Sequence, residues 1–249
     1  MENSSQFKIE GRNPVMEALK SGREIDKIYI LKGDRQGSVN KIIGLAKSKG
    51  ILVSEVDRKK LDEMSETKAH QGVVASLSPI NYARLEDIIL RAKEKNEPLF
   101  VIVLDEIEDP HNLGSIIRTA NAAGAHGIII PKHRSAFVTA TVAKTAAGAC
   151  FYTPVAKVTN LSQAIRTLKE HGVWFYGADM HGENNIYNTK FDGSVGIIIG
   201  NEGKGISPSI KKECDFLVNI PMVGEIESLN ASVSAGIFMY SVLKERLGK

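Results

Sequence analysis

Five short apolar runs, 100–104, 128–130, 173–176, 195–199 and 216–220, alternate with segments of helical periodicity through roughly the last three-fifths of the chain. A strand that is apolar throughout must be covered on both faces, and helices recurring between such strands supply the cover. The pattern predicts an α/β domain built on a parallel sheet with helices on both faces. Before it, residues 1–76 predict a smaller α/β unit: a helix over 15–21, a strand over 27–31, a helix over 39–49, and strands over 52–56 and 72–77. Residues 77–98, with Pro79 and Pro98 around a charged stretch, read as a partly helical linker to the domain at 99–249. There is no internal repeat and no low-complexity segment.

Three of the strand ends carry unusual chemistry. After 100–104 comes Asp105-Glu106-Ile107-Glu108-Asp109-Pro110, then Asn112-Leu113-Gly114-Ser115-Ile116-Ile117-Arg118-Thr119-Ala120. Pro110 is expected to break the chain, Asn112 to cap a helix, and Leu113, Ile116, Ile117 and Ala120 to form its apolar face. Arg118 then shares a side with Gly114 and Ala122; on this segment alone it is equally well a solvated arginine. After 195–199 comes Gly200-Asn201-Glu202-Gly203-Lys204-Gly205, which fits neither the Walker A pattern nor G-x-G-x-x-G. Its glycines suit either a tight turn or close approach of backbone to a ligand. After 216–220 come Pro221-Met222 and then Ser228-Leu229-Asn230-Ala231-Ser232, opening a helix of small residues whose Val233, Ile237, Tyr240 and Leu243 are expected to face the core. In a sheet of this kind, polar clusters past the carboxyl ends of strands are where ligands sit.

Taken together and in this order, the three segments resemble the SpoU-type (TrmH-like) RNA ribose 2′-O-methyltransferases, with N-x-G-x-x-x-R-T-A at 112–120, G-x-E-G-x-G at 200–205, and I-P-M with S-L-N-x-S within 220–232. The core motifs show no departure from that pattern. Gly11-Arg12-Asn13-Pro14-Val15, Glu17-Ala18-Leu19 and His70-Gln71-Gly72 are similar to the substrate-binding domain of the subgroup that includes the bacterial 23S ribosomal RNA guanosine methyltransferase. The resemblance implies a deep trefoil knot in the last third of the chain, S-adenosylmethionine as cofactor, a homodimer, and RNA as substrate.

It also implies roles for residues. Arg118 activates the ribose hydroxyl; since a guanidinium stays protonated, an electrostatic role near the 2′-oxygen and adjacent phosphate suits it better than that of a base. Asn112, Glu202, Ser228 and Asn230 form the polar wall beside it. Gly200, Ile220, Met222 and Leu229, with Gly177 added, are the expected cofactor contacts, and Arg12, Asn13, His70 and Gln71 the expected RNA contacts. Two rivals remain open: an RNA-binding assembly factor with a decayed catalytic half, and a nucleotide-dependent enzyme on an ordinary doubly wound fold. A transfer RNA ribose competes with a guanosine of 23S ribosomal RNA as the target.

Charge separates the two parts. Residues 1–76 hold 14 Lys and Arg against 11 Asp and Glu, whereas 77–249 hold 18 of each. Lys41, Lys47, Lys49, Arg58, Lys59 and Lys60 give the first part its basic clusters, a property that serves solubility or an RNA-facing surface. No stretch has the length and apolarity of a membrane span, and Met1-Glu2-Asn3-Ser4-Ser5 lacks signal-peptide character. Cys150 and Cys214 read as buried reduced thiols, which suits a cytoplasmic protein. The six histidines have no ligand spacing, so no metal is expected.

Overall fold

A computed structural model describes residues 7–34 and 37–248, and the chain divides into two compact units, Met1–Asn81 and Tyr82–Lys249. The first unit runs β1 (Lys8–Glu10), α1 (Arg12–Lys20), β2 (Ile25–Leu31), α2 (Ser38–Ser48), β3 (Leu52–Val56), α3 (Arg58–Met64) and β4 (Val73–Leu77). Its sheet has the order β1-β4-β2-β3, with β2 parallel to β3 and the other pairs antiparallel. Period-two alternation turns Ile28 and Ile30 of β2 and Val73, Ala75 and Leu77 of β4 to one face, where Val15 and Leu19 of α1 and Val39, Ile42 and Ala46 of α2 complete a buried core. Two elements here escaped the sequence reading. β1 is only three residues long, and α3 opens on Arg58-Lys59-Lys60, whose charges mask a helix that Asp57 caps through the Lys60 amide at 2.8 Å.

The second unit runs α4 (Leu85–Lys95), β5 (Phe100–Leu104), α5 (Pro110–Ala122), β6 (Gly127–Pro131), α6 (Ala140–Thr145), a short 3-10 turn, β7 (Val155–Val158), α7 (Leu161–Glu170), β8 (Val173–Ala178), β9 (Asn184–Asn185), β10 (Ser194–Ile199), α8 (Pro208–Lys211), β11 (Phe216–Asn219) and α9 (Ala231–Leu247). Its seven-stranded sheet has the order β7-β6-β5-β10-β8-β11-β9 and every pairing is parallel. Every residue of β5 is buried, as an all-apolar central strand requires. α4 and α7 bury Ile88, Ile89, Leu161, Ile165 and Leu168 against Val101, Val103, Ile129 and Ile198, while α5 and α9 pack together and α9 also lies on β10.

Several expectations change. Residues 82–98 are no linker: α4 is part of the second unit's core, and Ala83 bridges Ala156 of β7. α5 begins two residues before Asn112, because Pro110 serves as its first residue and Asp109 as its cap, accepting from the His111 amide at 3.1 Å. α9 turns Ala231, Ala235, Phe238, Met239 and Val242 inward and leaves Val233 and Tyr240 exposed, opposite to the expected face. The helix is apolar on two sides, so periodicity alone could not choose between them. Cys150 is buried and Cys214 half-buried, and both are free thiols. Among the described residues, no helix is long and apolar enough to cross a membrane, and no cluster of metal-binding side chains occurs.

Candidate active site

The loops that follow β8, β10 and β11 enclose a cavity of about 910 Å³ at the carboxyl end of the second unit's sheet. Ile199, Ile206, Ile220, Leu229 and Phe238 give it apolar walls, and Asp179, His181, Glu202, Lys204, Lys211 and Glu227 put polar groups along its sides. The loop after β10 folds back on itself. Asn201 and Gly205 exchange backbone hydrogen bonds of 3.0 and 2.8 Å, while the Asn201 side-chain oxygen accepts from the Gly203 amide at 2.9 Å and its Nδ2 donates to the Glu106 carbonyl at 3.0 Å. Gly200 lines the cavity, but the reason for its missing side chain differs from the one expected. A Cβ there would stand 2.2 Å from the Gly205 carbonyl carbon and 2.3 Å from the Ile206 nitrogen. The close approach is made by the loop's own backbone.

One residue from each of the three motifs meets at a single oxygen. Asn112 Nδ2 donates to Glu202 Oε1 at 2.6 Å, and Asn230 Nδ2 donates to the same oxygen at 2.7 Å and lies 3.0 Å from Asn112 Oδ1. Asn230 is also the cap of α9, its Oδ1 accepting from the Ser232 amide at 2.9 Å. Asn112 lies in the first turn of α5 and is buried. The carboxylate is therefore held by two amide donors on Oε1, while Glu202 itself lines the cavity. Two donors to one oxygen fix its direction.

Arg118 does not join this group. It is exposed and has no hydrogen bond or ion pair among the described residues. Six residues beyond Asn112 on the same helix, it stands roughly 9 Å along the axis and about 120° around it, and it is not part of the cavity wall. Ser228, Ile220, Met222 and Leu229 do line the cavity. Gly177 does not: a Cβ there would press on Cys214 Sγ at 2.7 Å, so its hydrogen makes room for the thiol beneath the sheet, and burial pushes that thiol up to about 12. The neighbouring Ala178 and Asp179 take its expected place in the wall. Asp179 accepts from Lys211 Nζ at 2.6 Å and from the His181 amide at 2.9 Å. Burial raises its carboxyl, but the lysine and the amide prevail and hold it below the ordinary range. An acid at the end of β8, in Ala178-Asp179, was the available sequence signal for this side of the cavity.

In the first unit, Arg12 and Gln71 come together at the start of α1, with Asn13 exposed beside them. Arg12 Nε donates to the Gln71 carbonyl at 2.9 Å and Nη2 to Asp34 Oδ2 at 2.6 Å. His70 departs from its expected role as an RNA contact. It is buried, its Nδ1 accepts from the Gly72 amide at 2.9 Å, and its Nε2 faces Asp62 Oδ1 at 3.0 Å. Because an amide can only donate, the proton sits on Nε2, and both ring nitrogens are engaged within the protein.

Known proteins resemble both units. The SpoU rRNA Methylase family model matches residues 99–240, and that for RNA 2′-O ribose methyltransferase substrate binding matches residues 8–83. YacO of Bacillus subtilis (strain 168), named as a TrmH family tRNA/rRNA methyltransferase, is 48% identical over 236 residues, covering 95% of this chain and 94% of its own. The SpoU methyltransferase AviRb from Streptomyces viridochromogenes, solved in complex with the cofactor AdoMet, superposes with a TM-score of 0.62 at 26% identity, covering 97% of this chain and 90% of that one. An AdoMet-bound rRNA methyltransferase from Sinorhizobium meliloti gives 0.61 at 26% identity, over 96% and 87%. The chain belongs to the SpoU rRNA methylase family.

Proposed function

We propose that this protein transfers a methyl group from S-adenosylmethionine to a ribose 2′-hydroxyl of RNA, and that the target is a guanosine of 23S ribosomal RNA. The observation that carries the reading is the meeting of Asn112, Glu202 and Asn230 on one carboxylate oxygen at a cavity with apolar walls. The cavity suits the cofactor: an adenine needs apolar walls and backbone partners, both supplied by 199–206 and 218–222. When bound, S-adenosylmethionine brings a methyl group already activated on a sulfonium. What the chain must add is alignment and a stronger nucleophile. Glu202, fixed by its two amide donors, offers an acceptor to a ribose hydroxyl, and Arg118 stabilises negative charge developing on the 2′-oxygen while gripping the adjacent phosphate.

The homodimer belongs to this reading. Val233, Tyr240 and Leu247 are 50%, 52% and 78% exposed and recur every seven residues, giving α9 an outward apolar stripe. A two-fold contact through this stripe covers it and gives the outward-facing Arg118 of one copy a cavity on the other to serve. The trefoil knot belongs here too: β10 inserts between β5 and β8, and the chain then passes to β11 before α9 returns to pack on α5 and β10. A substrate-binding unit separate from the catalytic one favours a ribosomal target by analogy, while its basic excess suits RNA of either class. The transfer RNA alternative keeps its weight from the Bacillus relative, whose name covers both RNA classes. Intact Asn112, Arg118, Glu202 and Asn230 speak against a decayed assembly factor.

Mass-spectrometric mapping of ribose methylation in RNA from cells with and without the gene tests the proposal. Loss of one 2′-O-methylguanosine from 23S ribosomal RNA is the expected result. A mark lost from transfer RNA instead would move the target, and unchanged methylation would overturn the enzyme reading.

A further inference from the structure

Resting on the reading that the first unit holds RNA, we propose that Arg12 is a neutralised, pinned plate that receives an unpaired base, with Asn13 and Gln71 reading the base edge, rather than a phosphate ligand. Its guanidinium already has a counter-charge, since Asp34 Oδ2 lies 2.6 Å from Nη2 and the two side chains are 32% and 17% exposed. Its Nε is taken by the Gln71 carbonyl at 2.9 Å. A guanidinium held this way has little net field for a phosphate, yet it keeps a flat face and the Nη1 edge, the features on which splayed RNA bases stack and hydrogen-bond.

The mount is rigid. Gln71 is held at φ +50, a region that residues other than glycine seldom occupy, between the buried His70 and Gly72. The ring of His70, anchored by Asp62, accepts from the Gly72 amide and fixes the turn that offers the Gln71 carbonyl. Asp34 also packs closely on Gly72: a Cβ on that glycine would meet Asp34 Oδ2 at 3.1 Å. Around the plate stand side chains with free polar groups. Gln71 directs Oε1 toward the Arg12 amide at 3.4 Å, leaving its Nε2 to donate, and Asn13 is exposed with no hydrogen bond among the described residues. The cationic attraction for the backbone falls to the lysines and arginines elsewhere in the unit, and Arg12 supplies selectivity for unpaired over paired RNA.

Salt-dependent binding of the full-length protein to two fluorescent RNAs separates the two roles. One probe is a hairpin with an unpaired loop, and the other a fully paired duplex of equal length. The variant Arg12→Gln/Asp34→Asn replaces an ion pair by a neutral pair and so conserves net charge. The expected result is a loss on the order of tenfold in preference for the hairpin, equivalent to about 1.4 kcal/mol, with the salt slope of both RNAs unchanged. Asn13→Ala, at an exposed position with no fold to lose, should reduce the same preference by a smaller factor.

If Arg12 is a phosphate ligand, both RNAs weaken alike and the slope falls by about 0.7–0.9, which overturns the proposal. Wild-type binding with a steep slope, matched in every respect by the double variant, also overturns it while leaving the RNA-binding role of the unit intact. A wild-type protein that binds neither probe overturns that role as well.

Discussion

Arg12 and Arg118 are the arginines on which the motifs of the two units converge, and they are in opposite states. Arg12 has its Nε on the Gln71 carbonyl and its Nη2 on Asp34. Arg118 projects from α5 with no partner among the described residues. A motif presents both as cations available to RNA. The structure separates them into one whose charge is balanced by Asp34 and one whose charge has no partner among the described residues. An arginine's contribution depends on what its donors already touch.

The contrast breaks or sharpens under four tests. The largest effect is expected from Arg118→Ala, which should lower the rate of methyl transfer on the order of 10²–10³-fold, the range for losing a preorganised charge at a reacting oxygen. Cofactor affinity by calorimetry should stay at the wild-type value, and Arg118→Lys should recover little because a point charge does not replace a planar fork. Turnover by the alanine variant close to wild type would dissolve the difference between the two arginines.

Next comes Tyr240→Glu, which puts a charge into the exposed stripe of α9. An unpaired charge buried at an interface costs about 2–5 kcal/mol, enough to split a dimer of moderate affinity. Light scattering should find a monomer that still binds cofactor and no longer methylates. An active monomer would show that Arg118 serves the cavity of its own chain.

A smaller effect, on stability as well as binding, is expected from Gly200→Val. The added Cβ meets the Gly205 and Ile206 backbone at 2.2 and 2.3 Å, so the loop that carries Glu202 must move. Overpacking of this kind costs about 1–3 kcal/mol, and calorimetry should record a severe loss of cofactor affinity beside a lower melting temperature. Unchanged affinity in a folded variant would remove the loop from the cofactor site.

The smallest effect concerns a feature common to both units. His126 repeats the arrangement of His70: it is buried, its Nδ1 accepts from the Phe100 amide at 3.0 Å, and its Nε2 faces Glu97 at 3.0 Å. Burial lowers its pKa below the ordinary 6.5, with Arg246 and Lys95 acting in the same direction and Glu97 opposing them. A histidine whose folded value is depressed contributes stability above the unfolded value, and that contribution is lost as pH falls through the folded value. Denaturant titrations should therefore show stability declining below about pH 6.5, by at most about 1.4 kcal/mol per pH unit from this group. His126→Asn, which offers an oxygen to the Phe100 amide and cannot take up a proton, should flatten that decline. A slope equal in both proteins would assign the acid sensitivity elsewhere.

Much of the fold was legible because its signals are local. Residues 100–104 and 52–56 were found with the bounds they have in the structure, each an apolar or half-apolar run closed by turn residues. β7 and β9 were missed because four and two residues are too few for a period to register. Residues 85–95 read as linker because the charged outer face of α4 masks Ile88, Ile89 and Ala92 on its inner one. In the candidate site, Asn112, Glu202 and Asn230 were legible as motif residues, but their meeting on one oxygen was not. Asp179 and Lys211 do not stand out locally, since a lone acid and a lone lysine are ordinary in any sequence.

By itself, then, the sequence determined where strands run, where they end, and which polar residues stand at those ends, because apolar periodicity and turn chemistry act over a few neighbouring positions. Tertiary structure alone decided which face of α9 is the core face, that the hydrogen of Gly200 makes room for its own loop, that His70 is engaged internally, and that Arg12 is paired while Arg118 is open. Each of these depends on atoms brought in from far along the chain. Asn230 reaches Asn112 across 118 positions and Asn112 reaches Glu202 across 90, and no local pattern records whether a hydrogen bond at that separation has been made.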